Sequence, residues 1–191
     1  MIAQTQFSGG FQDASRDAAY AFRAAMTVLA RPGEIRTLAG AEPPEPLSVA
    51  AGTLLLTLCD ADTGVYLAGA ADTAQVRQWL TFHTGAPFVT ASEADFAVGS
   101  WVDLMPLRDY RIGTPEYPDR STTLIVERDS LQPNGAILRG PGIKNKARLS
   151  LPDVTILQGN AMQYPLGCDF FFTAGDQVAG LPRSTQIEAE G

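Results

Sequence analysis

Five short apolar runs in the second half of the chain, DFAVG, STTLIVE, AILRG, CDFFFTAG and QVAGLP, constrain the fold more than any other feature. They are rich in β-branched and aromatic residues and bounded by Gly, Pro or Asn, the pattern of strands separated by turns. Strands must pair to satisfy their backbone donors and acceptors, so the runs imply a sheet. Gly175-Asp176 is placed to turn a hairpin between the last two.

The first half reads as helices alternating with short strands. From Asp13 to Ala30, Ala18, Phe22, Met26 and Leu29 recur at spacings of three and four, which predicts a helix buried along that face. Asp13 or Ser15 can cap it, and Pro32-Gly33 can stop it. The stretch GAEPPEP, residues 40–46, is too proline-rich to be anything but a loop. Ser48 then caps VAAGTLLLTLCDA, read as a buried helix on its length and Ala content, with a strand as the alternative. VYLAG is a strand. Asp72 is expected to cap a helix carrying Val76, Trp79, Leu80 and His83 on one face and ending at Gly85 and Pro87. Together these elements predict one α/β domain over residues 1–191 with a mixed sheet, and flexible ends at 1–10 and 186–191.

A formal charge of −7 argues against a general nucleic-acid or anionic-membrane binder, so any anion site must be local. No apolar run is long enough to span a bilayer and no signal peptide is evident, so a cytoplasmic location is expected. Cys59 and Cys168 lie in apolar stretches and read as buried thiols. No CxxC and no second histidine accompany them, and no metal site is expected.

The segment Arg139-Gly-Pro-Gly-Ile-Lys-Asn-Lys-Ala-Arg148 contains both lysines of the chain and no acid. A strand ending in a glycine-rich turn can aim backbone N–H groups at an anion, with Arg139, Gly140, Gly142 and Lys144 as its parts; a solvated basic turn is the plainer reading. Leu181-Pro-Arg-Ser-Thr185 offers Arg183 and hydroxyls for a second anion cluster, or merely a capped strand end. His83 and its neighbour Thr84 close a helix, where a core contact is explanation enough. Asp60 and Asp62 follow an apolar run, as in magnesium-dependent phosphatases of the haloacid-dehalogenase type. However, Gly64 stands where those enzymes usually carry Thr or Val, and a helix before Asp60 would misplace both carboxylates.

Taken together, FRAAM (22–26), ARPG (30–33), LLLTLCDADT (54–63), FHTGAP (82–87), LRGPGI (138–143), YPLGCDFFF (164–172) and LPRST (181–185) resemble the carbon-phosphorus lyase H-subunit family across nearly the whole chain. The resemblance implies a three-layer α/β/α domain similar to pyridoxal-phosphate-dependent transferases but without that cofactor. A Schiff-base lysine would have to come from one exposed-looking turn, which agrees. It further implies association with the G, I and J subunits and a homodimer when isolated. The role implied is a structural or substrate-presenting one in ribose 1-methylphosphonate 5-triphosphate synthase, which couples a phosphonate to the ribose of ATP before a radical enzyme cleaves the carbon-phosphorus bond. Expression on phosphate starvation is implied, and no activity of the chain alone. The resemblance brings no assigned catalytic residue, only candidates for binding a phosphonate or nucleotide: Arg139, Gly140, Gly142, Lys144, His83, Thr84, Arg183 and Thr185.

Overall fold

A computed structural model describes residues 8–190. Its elements are α1 (Ala14–Ala30), β1 (Ile35–Thr37), α2 (Val49–Leu58), β2 (Val65–Leu67), α3 (Ala74–Thr84), β3 (Phe96–Ser100), β4 (Thr123–Glu127), β5 (Ala136–Arg139), β6 (Ala147–Leu149), α4 (Val154–Ala161), β7 (Asp169–Ala174), β8 (Gln177–Leu181) and β9 (Gln186–Glu188). Six strands form a mixed sheet in the order β1-β8-β7-β4-β3-β2. The four from β7 to β2 are parallel, while the β7–β8 hairpin and β1 add antiparallel neighbours on one edge. The expected turn at Gly175-Asp176 makes that hairpin, with Gly175 at φ 58°, where a side chain would be strained.

Alternation along the strands divides the core in two. Leu67, Val98, Ile125 and Phe171 face one way and pack under α1, α2 and α3. Their neighbours Ala97, Leu124, Val126, Phe170 and Phe172 face the other way. That second face is covered by a three-stranded antiparallel sheet, β6-β5-β9, whose Leu138, Leu149 and Ile187 point inward, together with Leu157 of α4. The α/β class and mixed sheet match the expectation. In the layer expected to hold a second set of helices, α4 stands alone beside the small sheet.

Local chemistry explains the helices. Ser48 Oγ accepts the Ala51 N–H at 3.1 Å, and α2 is buried at six successive positions from Ala50 to Leu55, as a helix flanked by α1 and α3 must be. Gly85, at φ 71°, ends α3 in the left-handed conformation. Three details differ from expectation. Thr73, not Asp72, caps α3 through the Val76 N–H, while Asp72 pairs with Arg77. The inward stripe of α1 is Ala21, Ala25 and Val28, and Phe22 and Met26 point outward. Small residues win because α1 lies directly on β8: a Cβ on Gly180 would sit 2.7 Å from the Val28 backbone. Finally, the terminal stretch expected to be flexible supplies β9 up to Glu188, and Ser8 and Gly9 hold Trp79 and Glu42 through their carbonyls. Residues 1–7 and 191 lie outside the described part.

Candidate functional site

The basic turn begins where β5 ends. Gly140 (φ 127°) and Gly142 (φ 79°) both take conformations that side chains rarely adopt, and a Cβ on Gly142 would lie 1.8 Å from the Ala30 carbonyl oxygen. Glycine is therefore required there to seat the turn on the C-terminal end of α1. The Arg139 guanidinium does not reach toward an open anion seat. Its Nε donates to Glu188 at 3.0 Å and its Nη1 to the Asn145 carbonyl at 3.2 Å, closing the turn on itself. Lys144 and Lys146 are exposed.

The second predicted cluster comes to the same place because β5 pairs with β9. Arg139 sits opposite Gln186, and Ser184 O is the nearest atom to the space beside Gly140. Arg183 is the most heavily engaged cation among the described residues. Its Nε and Nη2 hold Asp169, its backbone N–H donates to the same carboxylate at 2.8 Å, and its Nη1 donates to the Pro118 carbonyl at 2.6 Å. Thr185 is buried, and its hydroxyl has no partner among the described residues.

His83 and Thr84 do not join this group; they lie across the sheet, at the end of α3. The imidazole is edge-on to Trp79 at 5.2 Å and to Phe82 at 4.9 Å, and the Gly10 backbone closes over it. Thr84 Oγ1 donates to the Leu80 carbonyl and accepts the Ala86 N–H, a helix-end role. Thus Arg139, Gly140, Gly142, Lys144, Arg183 and Thr185 share one layer, and the remaining two candidates belong to another.

One polar cleft went unread in the sequence. It opens at the carboxyl ends of the parallel strands β3 and β4, where ligands of open α/β sheets commonly sit. It measures about 330 Å³ and is lined by Ser100, Glu127, Arg128, Asp129 and Ser130. Glu127 is hydrogen-bonded through both carboxylate oxygens: Oε1 accepts the Ser48 N–H at 2.7 Å and Oε2 the Thr173 hydroxyl at 2.8 Å. Asp103 leans on Gly69 and accepts from Ser100 Oγ at 2.7 Å. The available signal was the abrupt change from TLIV to Glu127-Arg128-Asp129, a charged triplet where a buried strand ends.

The other groups singled out in the sequence lie away from both places. Asp60 and Asp62 occupy an exposed turn after α2, where Asp60 accepts from the Thr63 hydroxyl at 2.7 Å and from the Asp62 N–H at 3.0 Å. The first of these bonds is the main reason its carboxyl titrates below the usual range. Among the described residues no three of His, Cys, Asp and Glu are grouped to hold a metal ion. Cys59 and Cys168 are buried and unpaired, one in each core, and burial pushes both thiols up to about 12.

Comparison with known proteins adds three observations. The family model for "Bacterial phosphonate metabolism protein (PhnH)" matches residues 9–188. The chain is 43% identical, over the full length of both proteins, to the alpha-D-ribose 1-methylphosphonate 5-triphosphate synthase subunit PhnH of Rhizobium meliloti (strain 1021). It is 28% identical to the putative C-P lyase subunit protein HtxG of Stutzerimonas stutzeri, across 90% of this chain and 86% of that one.

Proposed function

The chain belongs to the PhnH family of bacterial phosphonate metabolism proteins, and on that premise we propose that it is a subunit of a carbon-phosphorus lyase system, acting in ribose 1-methylphosphonate 5-triphosphate synthesis. End-to-end similarity to a named subunit of that synthase carries the reading. Its role is to build and present a surface, in company with the G, I and J subunits, in the step that couples a phosphonate to the ribose of ATP. What supports presentation rather than chemistry is that Arg139 and Arg183 are committed to Glu188 and Asp169. In the basic turn, weak binding of a phosphonate or nucleotide phosphate then falls to Lys144 and Lys146. The scaffold is related to that of pyridoxal-phosphate-dependent transferases and is used without the cofactor, since both lysines stand exposed on that turn.

Within this reading the isolated chain pairs as a homodimer in the cytoplasm. The surface suited to it surrounds α4, where Val154 to Cys168 contain no charged residue and Ile156, Met162 and Tyr164 are exposed. An uncharged patch can meet its own copy across a two-fold axis without repulsion. No helix among the described residues is long and apolar enough to cross a membrane.

The decisive experiment reconstitutes the synthase from its other subunits with and without this chain, following the coupling of methylphosphonate to ATP. Assembly and turnover are expected to require the chain, and the chain alone to be inactive and dimeric by light scattering. Full turnover without it would overturn the proposal.

A further inference from the structure

We infer that the outward face of α1 is the docking surface for another protein subunit, whose contact surface is acidic around an apolar centre. The inference rests on the subunit reading above and adds where and by what chemistry the chain is held.

The helix turns small apolar residues to the sheet and leaves larger ones outside. Its sheet side carries Ala21, Ala25 and Val28, and its solvent side carries Tyr20 (61% exposed), Phe22 (50%) and Met26 (39%). Nine large apolar side chains are exposed among the described residues, and three of them lie on the outward half of this helix, Phe22 and Met26 on one flank and Tyr20 on the other. Such concentration marks a surface that is covered in the working protein.

Charge says what covers it. Arg16 and Arg23 stand on the same face; Arg16 lies over the Tyr20 ring, 5.8 Å from its centre, and neither guanidinium has a carboxylate partner among the described residues. The helix's one acid, Asp17, is turned to the N-terminus, where it accepts the Asp13 N–H at 3.0 Å. Beside the face, between α1 and β1, a cleft of about 230 Å³ is lined by Tyr20, Arg23, Ala24, Thr27, Arg36 and Thr37. Among the described residues β1 pairs only with β8, so it forms the outer rim of the sheet at that point. A chain of net charge −7 thus sets two arginines that have no carboxylate partner among the described residues beside exposed aromatic and Met side chains.

A carboxylate entering the cleft would gain charge-assisted contacts from Arg23, while Phe22 and Met26, on the flank away from the cleft, bury against apolar residues of the partner. A second copy of this chain fits poorly. A two-fold interface would set Arg16 and Arg23 against their own counterparts, and the chain's uncharged patch lies elsewhere, around α4.

The test compares two variants of equal net charge, Arg23→Glu on this face and the control Arg108→Glu, an exposed arginine away from it, with Phe22→Ser/Met26→Ser as a third. Binding of each to the reconstituted remaining subunits of the synthase is measured by interferometry at low and high salt. Arg23→Glu and the double variant should each weaken binding at least tenfold, Arg108→Glu should not, and Arg23→Glu should flatten the salt dependence. All substitutions are at exposed positions, and unchanged thermal unfolding confirms the fold. Wild-type binding unaffected by the α1 variants would overturn this inference alone. Absence of wild-type binding would overturn the subunit reading and this inference with it. Binding of wild type to phosphatidylglycerol vesicles, lost in Arg23→Glu, with unaltered subunit binding would reassign the face to a membrane and overturn it too.

Discussion

The helical layer and the layer opposite it cover two faces of one sheet by different means. Above one face, α1 approaches β8 so closely that only Gly180 fits, α2 is buried nearly all round, and no ion pair among the described residues joins these helices to a strand. Below the other, strands of three or four residues are held by side-chain clamps: Arg183 on Asp169, Arg139 on Glu188, Asn160 on the Cys168 backbone and Gln158 on the Ile187 carbonyl. Close packing is indifferent to salt and gives way only as a whole, whereas clamps can be released one at a time. The lower layer should therefore open first.

The strongest way to break this contrast is to truncate one buried ring on each face. Phe171→Ala, under the helices, and Phe170→Ala, over the small sheet, should each cost about 3–5 kcal/mol in denaturant unfolding. Phe171→Ala should unfold the chain in one step. Phe170→Ala should instead free the β5, β6 and β9 amides to exchange while α1 to α3 stay protected, and equal exchange in both variants would erase the distinction.

Next in size come the clamps. Arg183→Ala strands a half-buried Asp169 and should cost about 1.5–3 kcal/mol, lost from the lower layer. Arg139→Ala removes a pair that is roughly half exposed on both sides and should cost no more than about 1 kcal/mol. Arg139→Ala should also leave weak phosphate binding, followed by calorimetry, nearly intact, since its guanidinium is already taken. A large loss of binding would show that the ion pair opens to receive the anion.

The finest probe is chemical, because each layer holds one thiol. Cys59 in the helical core and Cys168 in the lower core should both resist a disulfide reagent at pH 8, with Cys168 labelling first as denaturant is raised. Burial favours the protonated thiol in the folded chain, so its pKa lies above the ordinary value of 9.0. That contribution to stability is complete below pH 9 and declines as pH rises toward 12, where the unfolded chain has released protons that the folded one retains. Cys59→Ala and Cys168→Ala should each flatten the alkaline fall in stability, and an unchanged slope would assign it to other groups.

Much of the layering was legible in the sequence, and its failures have specific causes. Turn and cap chemistry is local, so Gly175-Asp176, Ser48 and Gly85 could be read directly. The inward face of α1 was misread because spacing alone assigns the larger side chains to the core. Here the distance to Gly180 admits only the small ones, and that distance is set by a strand some 150 residues away along the chain. Strands β1, β6 and β9 are each three residues long, too short for alternation to register. The basic turn and the Arg183 segment were both recognised, but their carboxylate partners were not. Glu188 is reached only through the β5–β9 pairing, and Asp169 looked like an ordinary strand residue.

Glu127 carries a further consequence for the open end of the sheet. The start of a helix beside the carboxyl edge of parallel strands is where nucleotide-binding folds seat a phosphate, drawn by unsatisfied N–H groups and the helix dipole. In this chain the seat at α2 is filled from within: Glu127 accepts the Ser48 N–H, Ser48 Oγ the Ala51 N–H, and Gly175 O the Ala50 N–H. The protein brings its own carboxylate to the position a phosphate would contest. A phosphate approaching that edge would meet the Glu127 carboxylate instead of free N–H donors.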